Sequence, residues 1–322
     1  MKLDILVSQY QETEDVIRPL LLSIATQQNV NFDDISVIIA NDGSDVLLDE
    51  GFLNSYPYKI TYLKCEHRGV SATRNACLDA SKADYVMFCD ADDMFYHNCA
   101  LWLINREMEI GFDTLMSAFL EEGRHPESKE PLYITHQTDS TFIHGKVHRR
   151  KYLIENNIRF NPDLTIHEDS YFNILAQQLA NPDRAKYCQT PFYIWRWRDD
   201  SVCRRDPKYL LKTYINMLDS NDALIMQFLN RGLVSKAREF ATMMIYDTYY
   251  VFNKPEWKNQ ENQEYRELTE ARFKTYYRTY KNLWSETPKE VKMAISNGIR
   301  QRSIQEGMEM ENITLQDWLK LF

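Results

Sequence analysis

Residues 84–93 read DYVMFCDADD, an apolar run that ends in three carboxylates, Asp90, Asp92 and Asp93. The continuous apolar run is typical of a strand that is buried on both faces of a parallel sheet. Ligands bind to such sheets beyond the carboxyl ends of the strands. The stretch therefore predicts an α/β fold, and it places a cluster of like charges where a functional site is expected.

The sequence before this stretch repeats the pattern. Three more buried strands are predicted, with helical spacing of apolar residues after the first and the third. The strands are LDILVSQY (3–10), ISVIIAND (35–42) and KITYLKC (59–65), and the helices are 13–28 and 69–81. Ser8, Asn41 and Asp42 stand at strand ends, as Asp90 does. Polar residues of three strands should therefore converge on one edge of a largely parallel sheet.

The rest of the chain predicts a change of architecture. The expected elements are a helix at 97–109, a strand at 114–122, a polar loop at 123–140, helices at 146–157 and 168–181, and strand segments at 185–198. From about residue 207 the pattern is helical throughout. We therefore predict a boundary at 204–207, between an α/β domain of residues 1–204 and a helical C-terminal domain of residues 205–322.

The composition of the 322 residues is that of a globular protein, with 44% hydrophobic and 26% charged residues. The start is too polar for a signal peptide, and no apolar run approaches the roughly 20 residues of a membrane span. The six cysteines have neither CxxC nor zinc spacing, which is typical of reduced thiols. These features predict a cytoplasmic protein, and peripheral contact with the inner face of the membrane stays open.

The net charge is −9, and the acidic excess lies in residues 1–204, which hold 31 Asp and Glu against 20 Lys and Arg. An acidic chain is a poor nonspecific ligand for nucleic acid. An acidic half that binds a divalent cation fits this charge better. Alternate residues of an extended segment point the same way, so Asp90 and Asp92 can share one hard cation. A solvated acidic turn or a helix cap is the open alternative.

Four stretches carry a resemblance to a known family. They are IIANDGSDV (38–46), RGVSATRNACLDASKADYVMFCDADD (68–93), FIHGKVHRRKYLIENNIRFNPDLTIHEDSYF (142–172) and FYIWRWRDDSV (192–202). In this order they resemble family 2 glycosyltransferases with the GT-A fold, a Rossmann-like, mostly parallel sheet flanked by helices. The family often opens with Pro-x-Tyr-Asn where this chain has Ser8-Gln9-Tyr10-Gln11, which leaves the detail of the base pocket open.

The resemblance implies a donor half at about residues 1–95 and an acceptor half at about 96–204. Asp42 would hydrogen-bond the uracil or ribose of a UDP-sugar, and Asn41 and Gly43 would shape the turn. An ordinary Asn-Asp-Gly-Ser turn is the alternative. The other donor-side residues implied are Ser8, Tyr10, Arg68, Arg74, Asp90, Ala91 and Arg196.

The resemblance also implies a divalent cation, Mn²⁺ or Mg²⁺. Asp92 would be its principal ligand and Asp90 a second, while Asp93 stays ambiguous between this site and a helix cap. His167 is a candidate ligand or phosphate contact, and a structural role is its alternative.

Asp169 is implied as the catalytic base. A carboxylate at the start of a helix is expected to be ionised at pH 7 and to take the proton of the acceptor hydroxyl. Glu168 would position the acceptor or cap the helix. The alternative is that both residues only form the acidic N-terminus of the helix.

The basic and aromatic residues nearby leave more than one interpretation. Lys146 or Arg149 can neutralise a phosphate or lie on a solvated helix face, and His144 is expected to pack. In WRWR (195–198), alternation on a strand would put the two tryptophans on one face and Arg196 and Arg198 on the other, towards the diphosphate or the acceptor.

These features predict an inverting glycosyltransferase that uses a UDP-sugar and an acceptor hydroxyl, with a saccharide or lipid-linked saccharide of an envelope or capsule as acceptor. A macromolecular acceptor is the alternative, such as a teichoic acid, a protein or a modified phage DNA base. A non-catalytic nucleotide-sugar binding or oligomerisation protein is a third reading, and a homo-oligomer stays open. A nucleotidyltransferase is disfavoured because SQYQETED (8–15) lacks the glycines of a phosphate loop.

Overall fold

The computed structural model describes residues 1–137, 139–199, 209–307 and 315–322. The chain divides into two compact units, Met1–Ser201 and Val202–Phe322. The boundary predicted at residues 204–207 lies outside the described residues. The predicted α/β class with a helical C-terminal region is confirmed.

The first unit contains one sheet of nine strands and six α-helices among its described residues. The strands are β1 (Leu3–Gln9), β2 (Ile35–Asp42), β3 (Lys59–Cys65), β4 (Tyr85–Asp90), β5 (Met94–Phe95), β6 (Thr114–Arg124), β7 (Pro131–His136), β8 (Lys146–Arg149) and β9 (Ala185–Trp195). The helices are α1 (Glu14–Ala25), α2 (Glu50–Leu53), α3 (Val70–Ala80), α4 (Ala100–Ile110), α5 (Arg150–Glu155) and α6 (Glu168–Leu179).

The sheet has the order β3-β2-β1-β4-β8-β6-β9-β5, and β7 pairs with β6. The first four strands are parallel. Strand β8 is antiparallel to both β4 and β6, whereas β6 and β9 are parallel. The parallel part follows from strands whose side chains are buried on both faces, such as LDILVSQ of β1. The second part is mixed because β8 reverses the direction of the chain.

The register brings the strand ends together as predicted. Ser8 of β1 lies opposite Ala40 of β2 on one side and opposite Asp90 of β4 on the other. Asp42, the last residue of β2, lies opposite Cys65, the last residue of β3. The carboxyl ends of four neighbouring strands therefore form one polar edge.

Two predicted elements are wrong. The helix expected at 146–157 begins only at Arg150, because Lys146–Arg149 form β8. The first three side chains of β8 are buried between β4 and β6, so pairing on both sides overrides the local helical pattern.

The polar loop expected at 123–140 contains β7. This strand forms a hairpin with β6 and has no second neighbour in the described part of the sheet. Most of its side chains are exposed, so it lacks the alternation of buried and exposed residues that marks a half-buried strand.

The second unit is helical in its described residues. Its helices are α7 (Tyr209–Asn230), α8 (Val234–Asn253), α9 (Pro255–Lys258), α10 (Gln263–Ser285), α11 (Lys289–Gln305) and α12 (Leu315–Leu319). Phe252 and Phe273 pack against Trp318, with ring centroids 5.9 and 5.2 Å away, and join α8, α10 and α12. Over the described ranges of both units, every helix is too short or too polar to cross a bilayer.

Candidate active site

The turn after β2 is built by Asn41. Its Nδ2 donates to Gln9 Oε1 and to the Val46 carbonyl, both at 3.0 Å, and its Oδ1 accepts the Ser44 N–H at 2.7 Å. Gly43 has φ = +71°, and a Cβ there would lie 2.4 Å from the backbone nitrogen of His67. Glycine is therefore required by both the backbone conformation and the space.

Asp42 joins this turn to the N-terminus of α3. Its carboxylate accepts the N–H groups of Arg68 at 2.9 Å and of Gly69 at 3.1 Å. His67 Nδ1 lies 3.0 Å from Asp42 Oδ2, and the His67 ring stacks on Tyr10 with centroids 4.8 Å apart. His67 was not among the residues predicted for the site, although it lies two residues after β3, whose end belongs to the same polar edge.

Arg74 links the two halves of the predicted site. Its Nη2 donates to Asp90 Oδ1 at 2.8 Å and its Nη1 donates to Glu168 Oε1 at 2.9 Å. The guanidinium is buried and lies over the Phe160 ring, 5.2 Å from the centroid. Burial opposes ionisation of Asp90, but Arg74 and the nearby His144 hold its pKa below the ordinary value. Arg74 thus fixes the ionised carboxylate at the end of β4 to the start of α6.

Asp169 lies in the first turn of α6 and accepts the N–H of Ser170 through Oδ1 at 2.7 Å. Burial among protein atoms, followed by the repulsion of Glu168, raises the pKa of Asp169 to about 7. The expectation that this carboxylate is fully ionised at pH 7 is therefore wrong, because burial outweighs the helix terminus and the attraction of Arg74. Glu168 makes an ion pair with Arg74, and His167 is the N-cap residue, in the left-handed region at φ = +65°.

Asp93 is a structural anchor. Its side chain is fully buried, its Oδ2 accepts from the Tyr193 hydroxyl at 2.7 Å, and its Oδ1 accepts the Arg196 N–H at 2.8 Å. The same tyrosine oxygen accepts the N–H of Asp90 at 2.9 Å. The alternative that Asp93 caps a helix is wrong, because the next helix begins only at Ala100. The buried anchor fastens the turn after β4 to the end of β9.

Asp92 faces the arginines of WRWR. Arg198 Nη1 lies 3.1 Å from its Oδ2, and Arg196 Nη1 donates to its backbone oxygen at 3.1 Å. Burial, and then repulsion by Asp90, raises the pKa of Asp92 in spite of Arg198. Strand β9 ends at Trp195, whose ring packs 5.3 Å from His144. Both arginines therefore place positive charge beside the Asp92 segment.

One group of three potential metal ligands is found among the described residues, and it consists of Asp90, Asp93 and His144, with ligand atoms within 4.8 Å of one another. Burial lowers the pKa of His144 to about 4, so its imidazole is neutral at pH 7, as a metal ligand must be. Both oxygens of Asp93, however, already accept hydrogen bonds. Asp90 and Asp92 have side chains that are 30% and 29% exposed, so a diphosphate can reach them. Their carboxylate oxygens are the donors that Mn²⁺ or Mg²⁺ prefers, although each carboxylate also makes an ion pair with an arginine.

The basic residues before α5 have structural partners. Lys146 is fully buried, 3.3 Å from Asp139 and 5.0 Å from the centroid of the Phe119 ring. The solvated helix face proposed for Lys146 is therefore wrong. Arg149 Nη2 lies 2.7 Å from Asp113 Oδ1.

Three more predicted residues lie close to this network. His144 packs as predicted, in parallel stacks with Tyr193 and Trp195. Ser8 and Ala91 lie on the polar edge, at the end of β1 and directly after β4.

Comparison with known proteins identifies a protein family that contains most of the residues described above. Residues 4–161 match the family model described as Glycosyl transferase family 2. Residues 4–161 belong to glycosyl transferase family 2. The matched range contains all the residues predicted for the donor side except Arg196, and it ends before α6 begins.

Relatives of this family 2 glycosyltransferase include EpsH of Bacillus subtilis (strain 168), which is named as a glycosyltransferase. EpsH is 24% identical over 277 residues, which are 79% of this chain and 77% of EpsH. The succinoglycan biosynthesis protein ExoM of Rhizobium meliloti (strain 1021) is 31% identical over 96 residues, 29% of this chain and 30% of ExoM.

A further relative is the poly(ribitol-phosphate) beta-N-acetylglucosaminyltransferase TarS of Staphylococcus aureus (strain Mu50). It is 25% identical over 210 residues, 59% of this chain and 36% of TarS. The crystal structure of TarS 1–349 in complex with UDP-GlcNAc superposes with a TM-score of 0.63 at 17% identity, covering 97% of this chain and 93% of that one. The GT-A fold predicted from sequence is therefore confirmed. The alignments span only about a third of the lengths of ExoM and TarS.

Proposed function

We propose that this glycosyltransferase moves a sugar from a UDP-sugar to an acceptor hydroxyl with inversion at the anomeric carbon. The observation that carries this proposal is the Arg74 bridge between Asp90 and Glu168. One buried guanidinium connects the end of β4, where the donor is expected, with the residue next to the predicted base. Inversion needs donor and base on opposite sides of one reacting carbon, and the bridge supports such a fixed pairing.

On the donor side, we assign Asn41 and Asp42 to the nucleotide end and Asp90 to the ribose or sugar. The other donor-side residues are Ser8, Tyr10, Arg68, Arg74, Ala91 and Arg196. The polar edge of β1, β2 and β4 supports this assignment because it gathers these residues from distant parts of the sequence.

Asp92 and Asp90 are the residues that would hold Mn²⁺ or Mg²⁺, and His167 remains a third candidate. The cation would neutralise charge on the departing diphosphate. Independently of it, Arg196 and Arg198 keep two guanidinium groups beside Asp92, and these can stabilise the same developing charge.

Asp169 acts as the base in this scheme. A base with a pKa close to the working pH combines a sufficient ionised fraction with a strong drive to accept a proton, and a pKa of about 7 meets that condition. Glu168 positions Arg74 in this scheme and does not take a proton.

For the acceptor we propose a saccharide of an envelope or capsule. The likeness to ExoM, named for succinoglycan biosynthesis, supports this class. A polymeric alcohol of the poly(ribitol-phosphate) type is the second candidate, because TarS, which is named for that acceptor, is 25% identical over 59% of this chain. The acidic first half disfavours DNA as an acceptor. A non-catalytic binding protein would not need a carboxylate with a raised pKa, such as that of Asp169.

The test is UDP release from a panel of UDP-sugars with Mn²⁺ and saccharide or polyol-phosphate acceptors. Asp92→Ala should lose metal-dependent release, and Asp169→Asn should bind UDP yet fail to transfer. Asp163→Asn changes an exposed carboxylate near α6 and is the matched control. Failure of the wild-type chain to bind any nucleotide or to turn over any donor would refute the proposal.

A further inference from the structure

A row of aromatic rings leads away from the Asp93 anchor. Tyr193, which donates to Asp93, stacks on His144 with ring centroids 5.2 Å apart. His144 also contacts the rings of Phe142 and Trp195, at 5.7 and 5.3 Å. The first two rings of the row are buried, whereas Phe142 and Trp195 are only half-buried. The row therefore begins at Asp93 and ends in two rings that solvent reaches.

Phe142 is fixed beside the residue proposed as the base. Asn173 Nδ2 donates to the carbonyl oxygens of Thr141 and Phe142, at 3.0 and 2.9 Å. Asn173 follows Asp169 by four residues in α6, and residues at this spacing share one face of a helix. The face of α6 that carries Asp169 is thus the face that contacts the Phe142 segment. Phe142 and Trp195 therefore lie on the side of the site where an acceptor hydroxyl would approach Asp169.

A pair of polar side chains adjoins these rings. Glu121 lies opposite Trp195 in the pairing of β6 with β9, and its Oε2 is 2.9 Å from His136 Nε2. His136 stacks on the buried Phe119 ring at 4.5 Å, and its centroid is 6.3 Å from that of Phe142. The side chains of Glu121 and His136 are 26% and 28% exposed. A fixed carboxylate and a fixed imidazole that solvent reaches can form directed hydrogen bonds with hydroxyl groups.

The charges around the rings disfavour a phosphate as ligand. Lys146 Nζ lies 5.0 Å from the Phe119 centroid, but this side chain is fully buried and paired with Asp139 at 3.3 Å. The Glu121–His136 pair is neutral when the imidazole is protonated, and it carries one negative charge when the imidazole is neutral. A phosphate would therefore meet a carboxylate and a lysine that already has a partner. An uncharged sugar requires no cation.

We propose that Phe142 and Trp195 contact a pyranose ring of the acceptor, and that the Glu121–His136 pair hydrogen-bonds its hydroxyl groups. The C–H face of a pyranose is apolar and packs on aromatic rings, while its hydroxyl groups need directed polar partners. Aromatic side chains beside a few fixed polar groups are typical of a site for such a ligand. The acceptor is then an uncharged sugar and not a polyol phosphate. This inference deepens the proposed function and rests on it for the position of the base.

The first test is saturation-transfer NMR of the full chain with the methyl β-pyranosides of glucose, galactose, mannose and N-acetylglucosamine, and with ribitol 5-phosphate. Irradiation of the aromatic protons of the protein should saturate at least one glycoside. The effect should be stronger at H1, H3 and H5, which share one face of these sugars, than at the hydrogens of the opposite face. Equal saturation of both faces, saturation of ribitol 5-phosphate alone, or no saturation of any glycoside would overturn the proposal.

The second test locates the contact with variants. Phe142→Leu keeps an apolar side chain but removes the aromatic face, so the Kd of the glycoside should rise about three- to tenfold while that of UDP stays unchanged. Phe142→Tyr keeps the ring and should bind the glycoside as the wild type does. Tyr133→Leu is the control, because Tyr133 is an exposed ring that pairs with Glu122 and so lies on the other face of the β6–β7 hairpin from Glu121. Wild-type affinity in Phe142→Leu would overturn the subsite.

The outcomes separate this subsite from the proposed function, because glycoside binding needs no turnover. A wild type that binds UDP and releases it from a UDP-sugar, but whose glycoside affinity does not depend on Phe142, overturns only the subsite. A wild type that binds a glycoside through Phe142 but binds no nucleotide supports the saccharide site and refutes the proposed transfer. If Phe142→Leu does not fold, the saturation of one sugar face by the wild type decides.

Discussion

Arg74 and Glu168 are 94 residues apart in the sequence and 2.9 Å apart in the fold. The same guanidinium also holds Asp90, so removing it would leave two carboxylates without their cation. We expect Arg74→Met to lower the free energy of unfolding of the first unit by about 3 kcal/mol. We also expect kcat to fall more than the affinity for UDP, because the base loses its position.

Urea unfolding and steady-state kinetics measure these effects, with Arg106→Met on the exposed surface of α4 as the control. Arg74→Lys should recover part of the stability but little of kcat, because an ammonium does not reproduce the two directed contacts. A wild-type kcat in Arg74→Met would show that the bridge has no functional role.

The pKa of Asp169 predicts how activity varies with pH. Since the pKa is about 7, kcat/KM should rise between about pH 6 and pH 8 as the carboxylate ionises, and then level off. A profile that is already flat from pH 5 upwards would mean that another group is the base.

The raised pKa of Asp169 also predicts how the stability of the fold varies with pH. The folded-state pKa lies above the ordinary value of 3.8, so the folded state binds more protons than the unfolded state between the two values. The contribution of Asp169 to stability therefore falls as pH rises from about 4 to about 7 and stays constant above. Asp169→Asn should unfold at higher urea concentration than the wild type at pH 8, with a smaller difference at pH 4. Equal midpoints at pH 8 would contradict the assigned burial.

Substitutions of the adjacent residues Asp92 and Asp93 should have opposite effects on stability and on activity. Asp93→Ala leaves the buried Tyr193 hydroxyl and the Arg196 N–H without acceptors, and should lower the free energy of unfolding by about 2–4 kcal/mol. Asp92→Ala removes one partly exposed ion pair, and should change it by less than about 1 kcal/mol while abolishing metal-dependent UDP release. Thermal unfolding and UDP release measured on both variants would distinguish these roles, and a stable Asp93→Ala protein would contradict the anchor.

Alanine substitutions at two glycines would distinguish the cost of backbone strain from the cost of a steric clash. Gly43 and Gly69 both have positive φ, but a Cβ at Gly69 meets nothing within 4 Å, whereas one at Gly43 meets the His67 backbone. Gly69→Ala should cost about 1–3 kcal/mol from its conformation alone, and Gly43→Ala should cost more because its Cβ also meets the His67 backbone. Gly43→Ala should also weaken UDP binding, because His67 must move. Equal losses in the two variants would show that the close approach is unimportant.

Strands that follow a clear local pattern of apolar residues can be predicted from the sequence. Strands β1, β2 and β4 are continuous apolar runs, so their positions and their common polar edge follow from the pattern alone. Strand β8 could not be predicted, because its four residues pair between β4 and β6 and precede a helical pattern without a break.

For the site, the resemblance indicated Asp42, Asp90 and Asp169 but could not give their partners. The raised pKa of Asp169 depends on burial, which no local pattern reports. His67 was missed because it follows β3, whose side chains are only half-buried and give a weaker apolar pattern than those of β1, β2 and β4. The position of β3 beside β2 was nevertheless implied by the predicted parallel sheet.

The Tyr193 hydroxyl accepts the N–H of Asp90 and donates to Asp93, so a single oxygen of β9 connects the end of β4 with the turn that follows it. A chimera that joins the donor half of one family member to the acceptor half of another would separate these partners. Such exchanges should yield folded enzymes only where both parents carry a hydroxyl at this position of β9. We therefore expect the end of β9 to be exchangeable only together with the turn that follows β4.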